Sequence, residues 1–388
     1  MTGIVLSASV RQNLLSLQST ADLLSTTQNR LATGNKVNSA LDNPTNFFTA
    51  QGLNNRASDI GNLLDSIGNG VQVLQAANTG ITSLQSLVDS AKSIANQVLQ
   101  APAGYTTKST STSTTLVGTA SATNLVDGVG FKANQTLAFT AVGELPAFTV
   151  TFGASESLDQ LNTALAAGNL TASLDSSNKL VITTTNDAAG STIGAVTVGS
   201  TPGTTTFAAA VAPVADAGSQ STRASLVAQY NNVIAQITTT SQDSSFNGIN
   251  LLNGDTLKLT FNETGKSTLS IQGVTFNAAG LGLASVVSGT DFLDNASANA
   301  QLTKLSTASN TLRSEASALG SNLSIVQIRQ DFNKNLINVL QTGSSNLTLA
   351  DTNEEAANSQ ALSTRQSIAV SALALANQSQ ASVLQLLR

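Results

Sequence analysis

The sequence predicts an α+β protein. Long antiparallel helices are formed by paired N- and C-terminal segments, with one β-hairpin and an inserted, mainly β domain. Three observations carry this. Val10, Leu14, Leu17, Ala21, Leu24, Gln28 and Leu31 recur at alternating steps of four and three, the seam of a helix that lies along another helix. Residues 368–376 read IAVSALALA, with Val383, Leu384, Leu386 and Leu387 beyond, so this end is apolar on nearly every side. Between the helical halves, residues 106–218 turn rich in Thr, Ser, Gly, Val and Ala and carry short alternating runs. Termini are ordinarily solvated and frayed. Both of these read as written for burial, against each other and against copies of the same chain.

Composition narrows the function classes. The chain has 388 residues, enough for two or more domains. Hydrophobic residues make up 41% and charged residues only 10%, against a usual ~25% charged. Surfaces of amides and hydroxyls suit packing against like surfaces, because few ions need desolvating. The net charge of −5, with no basic cluster, argues against nucleic acid. Without Cys there are no disulfides or thiolate sites, and without His the commonest general base and metal ligand is gone. No apolar run approaches the ~20 residues of a membrane span, and no cleavable signal peptide is visible.

Along the chain, residues 1–33 read as one helix ended by Gly34, followed by a turn-rich connector through Pro44. Thr45 or Asn46 can cap the next helix, over 47–99. There Ile60, Leu64, Ile67, Val71 and Leu74 keep the four-three alternation, and a parallel stripe runs beside it. Gly61, Gly68, Gly70 and Gly80 weaken this helix but permit close approach. Strands are predicted at 137–142, 147–152, 179–185 and 194–198, with a short helix over 157–167. The Ser/Thr/Gly stretches 106–124 and 199–221 read as linkers. Helix resumes near Ser221, a turn falls at Phe246-Asn247-Gly248, and 257–277 is a hairpin. Asp291 or Asp294 starts the next long helix, where Leu305, Leu312, Leu319, Leu323 and Val326 lie on one stripe and Ile325, Ile328, Phe332, Leu336 and Val339 on a second. Residues 341–346 break the pattern, and a last helix covers about 351–387. The economical arrangement sets the first helix beside the last and the second beside the 295–340 helix, in an elongated molecule with the insert at its far tip.

Catalytic constellations are missing from the pattern. Glu354-Glu355, the one adjacent acidic pair in the helical ends, reads as a solvated partner of a helix N-terminus. Gly280-Leu281-Gly282 has no following phosphate-loop lysine, and Asn253-Gly254-Asp255 does not complete a calcium loop. No catalytic, cofactor or metal residue is assigned. The seam residues are Val10, Leu14, Leu17, Ala21, Leu24, Leu31, Ile368, Ala372, Leu375, Val383, Leu384 and Leu387. For 47–99 and 295–340 a domain core and an intermolecular seam fit the spacing equally well.

At this point the chain resembles bacterial flagellin. LATGNKVNSALDNP at 31–44 is similar to the family's run of Leu, Ser/Thr-Gly, basic residue, Ile/Val-Asn, Ala and acidic residue. GVQVLQAA at 70–77, FNGINLL at 246–252 and LALANQSQASVLQLLR at 373–388 resemble three further family segments in the same order. The resemblance covers about 1–105 and 220–388. It implies that 1–44 and 345–388 form a terminal coiled-coil inner layer. Residues 45–105 and 220–344, with the hairpin near 257–277, would form the next layer, and 106–219 a variable outer domain. It further implies a homo-polymeric filament used for motility, type III export, and an extracellular place on the flagellum. The implied partners are an export chaperone, the filament cap and hook–filament junction proteins. A junction protein with the same ends, or a surface adhesin acting through the insert, are the alternatives. Flagellins sensed by an innate immune receptor carry a basic residue where this chain has Ser90, with Lys92 nearby; the resemblance implies a poor receptor ligand.

Overall fold

A computed structural model of the chain describes residues 8–115, 122–126, 130–143, 145–199 and 205–386. The chain divides into two compact units. The first takes in Met1–Asn69, Lys258–Leu269 and Ile325–Arg388, the second Gly70–Leu257 and Ser270–Ser324.

The first unit contains α1 (Ala8–Thr33) and α6 (Thr352–Leu386), packed along one another, with the N-terminal part of α2 (Pro44–Gln100) and the C-terminal part of α5 (Asn295–Thr348). Gly34, at φ +70°, ends α1 in the left-handed region that a side chain disfavours. The two connectors are stitched together: Lys36 N–H donates to Thr348 O at 2.7 Å and Ala350 N–H to Gly34 O at 2.9 Å. The cap of α2 is neither Thr45 nor Asn46. Asn43 Oδ1 accepts from Asn46 N–H at 3.0 Å, and Pro44 takes the first helical position, where a missing N–H costs nothing. Asp351 Oδ1 caps α6, accepting from Asn353 N–H at 2.9 Å.

Residues 341–346 do not break α5, which continues to Thr348. Here tertiary packing overrides propensity: the buried Ser344 hydroxyl donates to Ala50 O of α2 at 3.2 Å, and Leu340 joins Ala57 and Ile60 in a small apolar core. The tip of the hairpin formed by β9 (Thr256–Thr260) and β10 (Thr268–Gln272) clamps both helices. Arg56 of α2 pairs with Glu263 at 2.8 Å, buried Asn333 of α5 donates to Phe261 O at 3.0 Å, and the Arg329 guanidinium lies 5.7 Å from the Phe261 ring centre.

The second unit holds the rest of α2 and α5, α4 (Ala217–Asp243) and the insert. Gln85 of α2 donates to Ser309 Oγ of α5 at 3.1 Å. Among the α2 glycines the structure singles out Gly80, where a Cβ would land on Ser244 and Leu252. The turn at Phe246–Ile249 closes with Asn247 at φ +50° and Gly248 at +79°, as a two-residue primed turn demands.

The insert carries two three-stranded antiparallel sheets. One orders β2 (Thr110–Thr112), β6 (Leu180–Thr184) and β5 (Leu170–Leu174); the other orders β4 (Phe148–Thr151), β3 (Thr136–Phe139) and β7 (Val196–Gly199). Leu137, Phe139, Val150, Leu170, Leu180 and Ile182 point into a shared core with Leu161 and Leu165 of α3 (Leu158–Leu165). Ser157 opens α3 with a capping box closed by Gln160. The described parts of the stretches read as linkers include regular structure. β1 (Tyr105–Thr107) pairs with β8 (Val214–Ala215), β2 lies in the first stretch, and α4 starts at Ala217. Their buried described residues are serines and Thr205, whose hydroxyls satisfy main-chain carbonyls: Ser109 donates to Val211 O at 2.8 Å, Ser111 to Ala208 O at 2.9 Å and Thr205 to Gly130 O at 2.9 Å.

Candidate assembly surface

Two faces can be followed along the terminal helix pair. On α1 a buried or half-buried row runs through Val10, Asn13, Leu17, Thr20, Leu24, Thr27 and Arg30, with half-buried Ala21 beside it; on α6 the row is Glu355, Ser359, Leu362, Gln366, Ala369, Leu373 and Ala376. Both series step by three and four, the spacing of two helices winding round each other. The seam is made of small and polar side chains as much as apolar ones. Thr20, 3% exposed, turns its hydroxyl back to Ser16 O at 2.8 Å, so its methyl group packs without an unsatisfied donor.

The seam residues read from the sequence distribute over both faces. Val10 is buried and Leu17, Ala21 and Leu24 are half-buried, whereas Leu14 and Leu31 are exposed. On α6, Ile368, Ala372 and Leu375 are exposed, with Leu375 at 70%. The side chains of Val383 and Leu384, and the whole of Leu387, lie outside the described residues. Leu15, Leu23 and Val370 add to the exposed apolar set. Apolar residues scattered singly over a surface are ordinary. Here they run the length of two helices whose other faces already cover each other, which makes a helix pair with apolar surface left over.

A second exposed row lies on α5. Ile325, Ile328, Phe332 and Val339 face solvent, with Leu336 half-buried. The remaining helix positions named from the sequence are internal. Ile60, Ile67, Val71, Leu74, Leu305, Leu312, Leu319 and Val326 are buried, and Leu64 and Leu323 half-buried.

One residue is placed differently from its sequence reading. Glu355 is not a solvated helix-end charge: it is 8% exposed and its Oε1 lies 3.2 Å from Arg30 Nη1. Its neighbour Glu354 is exposed. The signal was present in the spacing, since Glu355 starts the three-four series of α6 and Arg30 ends that of α1. A search for apolar periodicity alone passes over both.

Asp42 organises the connector after α1. Its carboxylate accepts from Ser39 N–H at 2.8 Å and Asn38 N–H at 3.0 Å, and these bonds hold its pKa below the ordinary value. Ser90 of α2 is exposed, and Lys92 lies 3.8 Å from Asp89. Among the described residues no cluster of acidic groups could hold a metal ion, and no helix is long and apolar enough to cross a membrane.

The family profile described as bacterial flagellin N-terminal helical region matches residues 6–119, and that of the bacterial flagellin C-terminal helical region matches 302–387. Flagellin FljM of Caulobacter vibrioides is 33% identical over 165 residues, which are 42% of this chain and 59% of that protein. Flagellins FljK and FljO of the same organism are each 32% identical over 165 residues, again 59% of their length. The matched stretch thus spans about three fifths of each relative's length. The two profiles together match both helical ends, and by both of them the chain belongs to the bacterial flagellin family.

Proposed function

We propose that this chain is a structural subunit that polymerises through its terminal helices into the flagellar filament used for motility. The observation that carries the reading is the apolar surface left on a helix pair already closed on itself: Leu14, Leu15, Leu23 and Leu31 of α1, and Ile368, Val370 and Leu375 of α6. Burying such surface stabilises by roughly 25 cal/mol per Å² before ordering costs. The surface belongs to neighbouring copies. Because it is met by a different patch on the next copy, the contact is heterologous and extends an open helical array. Residues 1–44 and 345–388 form the inner layer of this array. Residues 45–105 and 220–344 form the next, through the exposed row on α5, and 106–219 the outer domain.

This function places the protein outside the cell, exported through the flagellar type III apparatus. An export chaperone, the filament cap and hook–filament junction proteins are its partners. Electron microscopy of the purified chain, before and after adding short filament seeds, tests the reading. Long uniform filaments are the expected result; monomers that ignore seeds contradict it.

A further inference from the structure

The seam between α1 and α6 raises a question of register. A heptad seam looks the same after a slide of seven residues. Large interlocking side chains normally forbid the slide, but this seam offers Asn13, Thr20 and Thr27 on one side and Ser359, Gln366, Ala369 and Ala376 on the other. Size distinguishes the heptads in part, since Leu362 gives way to Ala369 and Ala376 on α6; charge singles out one layer. Among the described residues, Arg30 and Glu355 are the only charged side chains on the two seam faces, and they meet at 3.2 Å. Moving α6 by one heptad would set Leu362 against Arg30 and carry Glu355 past the end of α1. That would strip Glu355, whose side chain is 11% exposed, of its partner, and set Arg30, 38% exposed, beside an apolar side chain.

We infer that the Arg30–Glu355 ion pair is the register-setting layer of the terminal helix pair. The stitched connectors, Lys36 to Thr348 and Ala350 to Gly34, bring the two helices to the same point. The ion pair, one turn on, carries that alignment into the seam. Counting outward from it pairs Leu24 with Leu362, Thr20 with Gln366, Leu17 with Ala369 and Val10 with Ala376. The register decides where the outward apolar residues of α1 and α6 fall relative to one another, and therefore whether a copy presents the surface that its neighbour fits. In this last step the inference rests on the proposed filament function.

The chain has no native cysteine, so register can be read directly. A full-length chain with Leu17→Cys and Ala369→Cys is compared on oxidation with one carrying Leu17→Cys and Ala376→Cys, a heptad out of step. A disulfide requires Cα atoms within roughly 7 Å, which only one register supplies for each pair. The expected result is that 17–369 links about tenfold more than 17–376, that Arg30→Glu reduces this preference to under about twofold, and that Arg30→Glu with Glu355→Arg restores it. A preference unchanged by Arg30→Glu, one not restored by the swap, or none in the parent chain overturns the inference. Filament formation is scored separately on the same proteins. Charge-dependent register without filaments would support the inference and sink the filament reading. Filaments with charge-indifferent linkage would do the reverse.

Discussion

Arg223 of α4 donates from Nη1 to the carbonyl oxygen of Phe292 at 2.6 Å, and the guanidinium is otherwise closed off from solvent. Its Nε and Nη2 reach Pro102 O at 2.7 Å and Ala101 O at 3.0 Å, the carbonyls where α2 ends. One side chain thus joins the segment entering the insert, the helix leaving it and the approach to α5. Phe292 sits at φ +61°, a conformation that costs a bulky residue. It persists because Arg223 holds its carbonyl and its ring meets Tyr230 edge-on, with centroids 5.4 Å apart. Burial pulls the Arg223 pKa down, and the nearby charge of Asp294 opposes that.

Replacing Arg223 by Met removes three charge-assisted bonds and strands three carbonyls. The expected loss is about 3 kcal/mol or more, because hydrogen bonds to charged groups are worth ~1.5–3 kcal/mol each and are not additive. Urea unfolding of the unassembled protein measures it. A loss near zero would mean that water replaces the guanidinium at no cost.

Two glycines of α2 should respond with opposite signs. Gly61 has open space where a Cβ would stand, so Gly61→Ala should stabilise by up to ~1 kcal/mol through helix propensity. Gly80→Ala gains the same propensity but drives its methyl into Ser244 and Leu252, and should be net destabilising. Thermal melts of the two variants, side by side, check the contrast.

These particulars show what was legible in the sequence. The long helices were, because an apolar stripe repeated over many turns is a strong signal. So were most of the strands that alternate Leu, Val, Ile and Phe with polar residues. β1, β2 and β8 were not, since their stretches bury serine hydroxyls bonded to carbonyls instead of apolar groups, and composition alone reads such a run as linker. β5 alternates Leu170, Ala172 and Leu174 but follows directly on the α3 helical turn, which hid it. Arg223 and Glu355 escaped for one reason: a buried charge is identified by its partners, and those lie 69 to 325 positions away in the chain. On the assembly surface, spacing found the helices but not how their residues divide between the face that closes the pair and the face that stays open.

Tyr230 sets an alkaline limit. Its hydroxyl is buried without a hydrogen-bond partner, and burial raises its pKa from 10.0 to about 12. The folded chain therefore favours the protonated form. That contribution is fully present below pH ~10 and is lost as pH rises toward and through about 12. Tyr230→Phe should flatten the decline in stability above pH ~10 and cost at most about 1 kcal/mol at neutral pH, since no bond is removed. Unfolding midpoints from pH 7 to 11.5 test both statements.

Seeded electron microscopy of the full chain, beside a chain lacking residues 355–388, asks whether the terminal helices are the polymerising surface. Long filaments are expected from the full chain, and a soluble shortened chain that keeps the fold of the second unit yet never extends a seed. Filaments from the shortened chain would contradict that role of the terminal helices, because assembly would then proceed without α6.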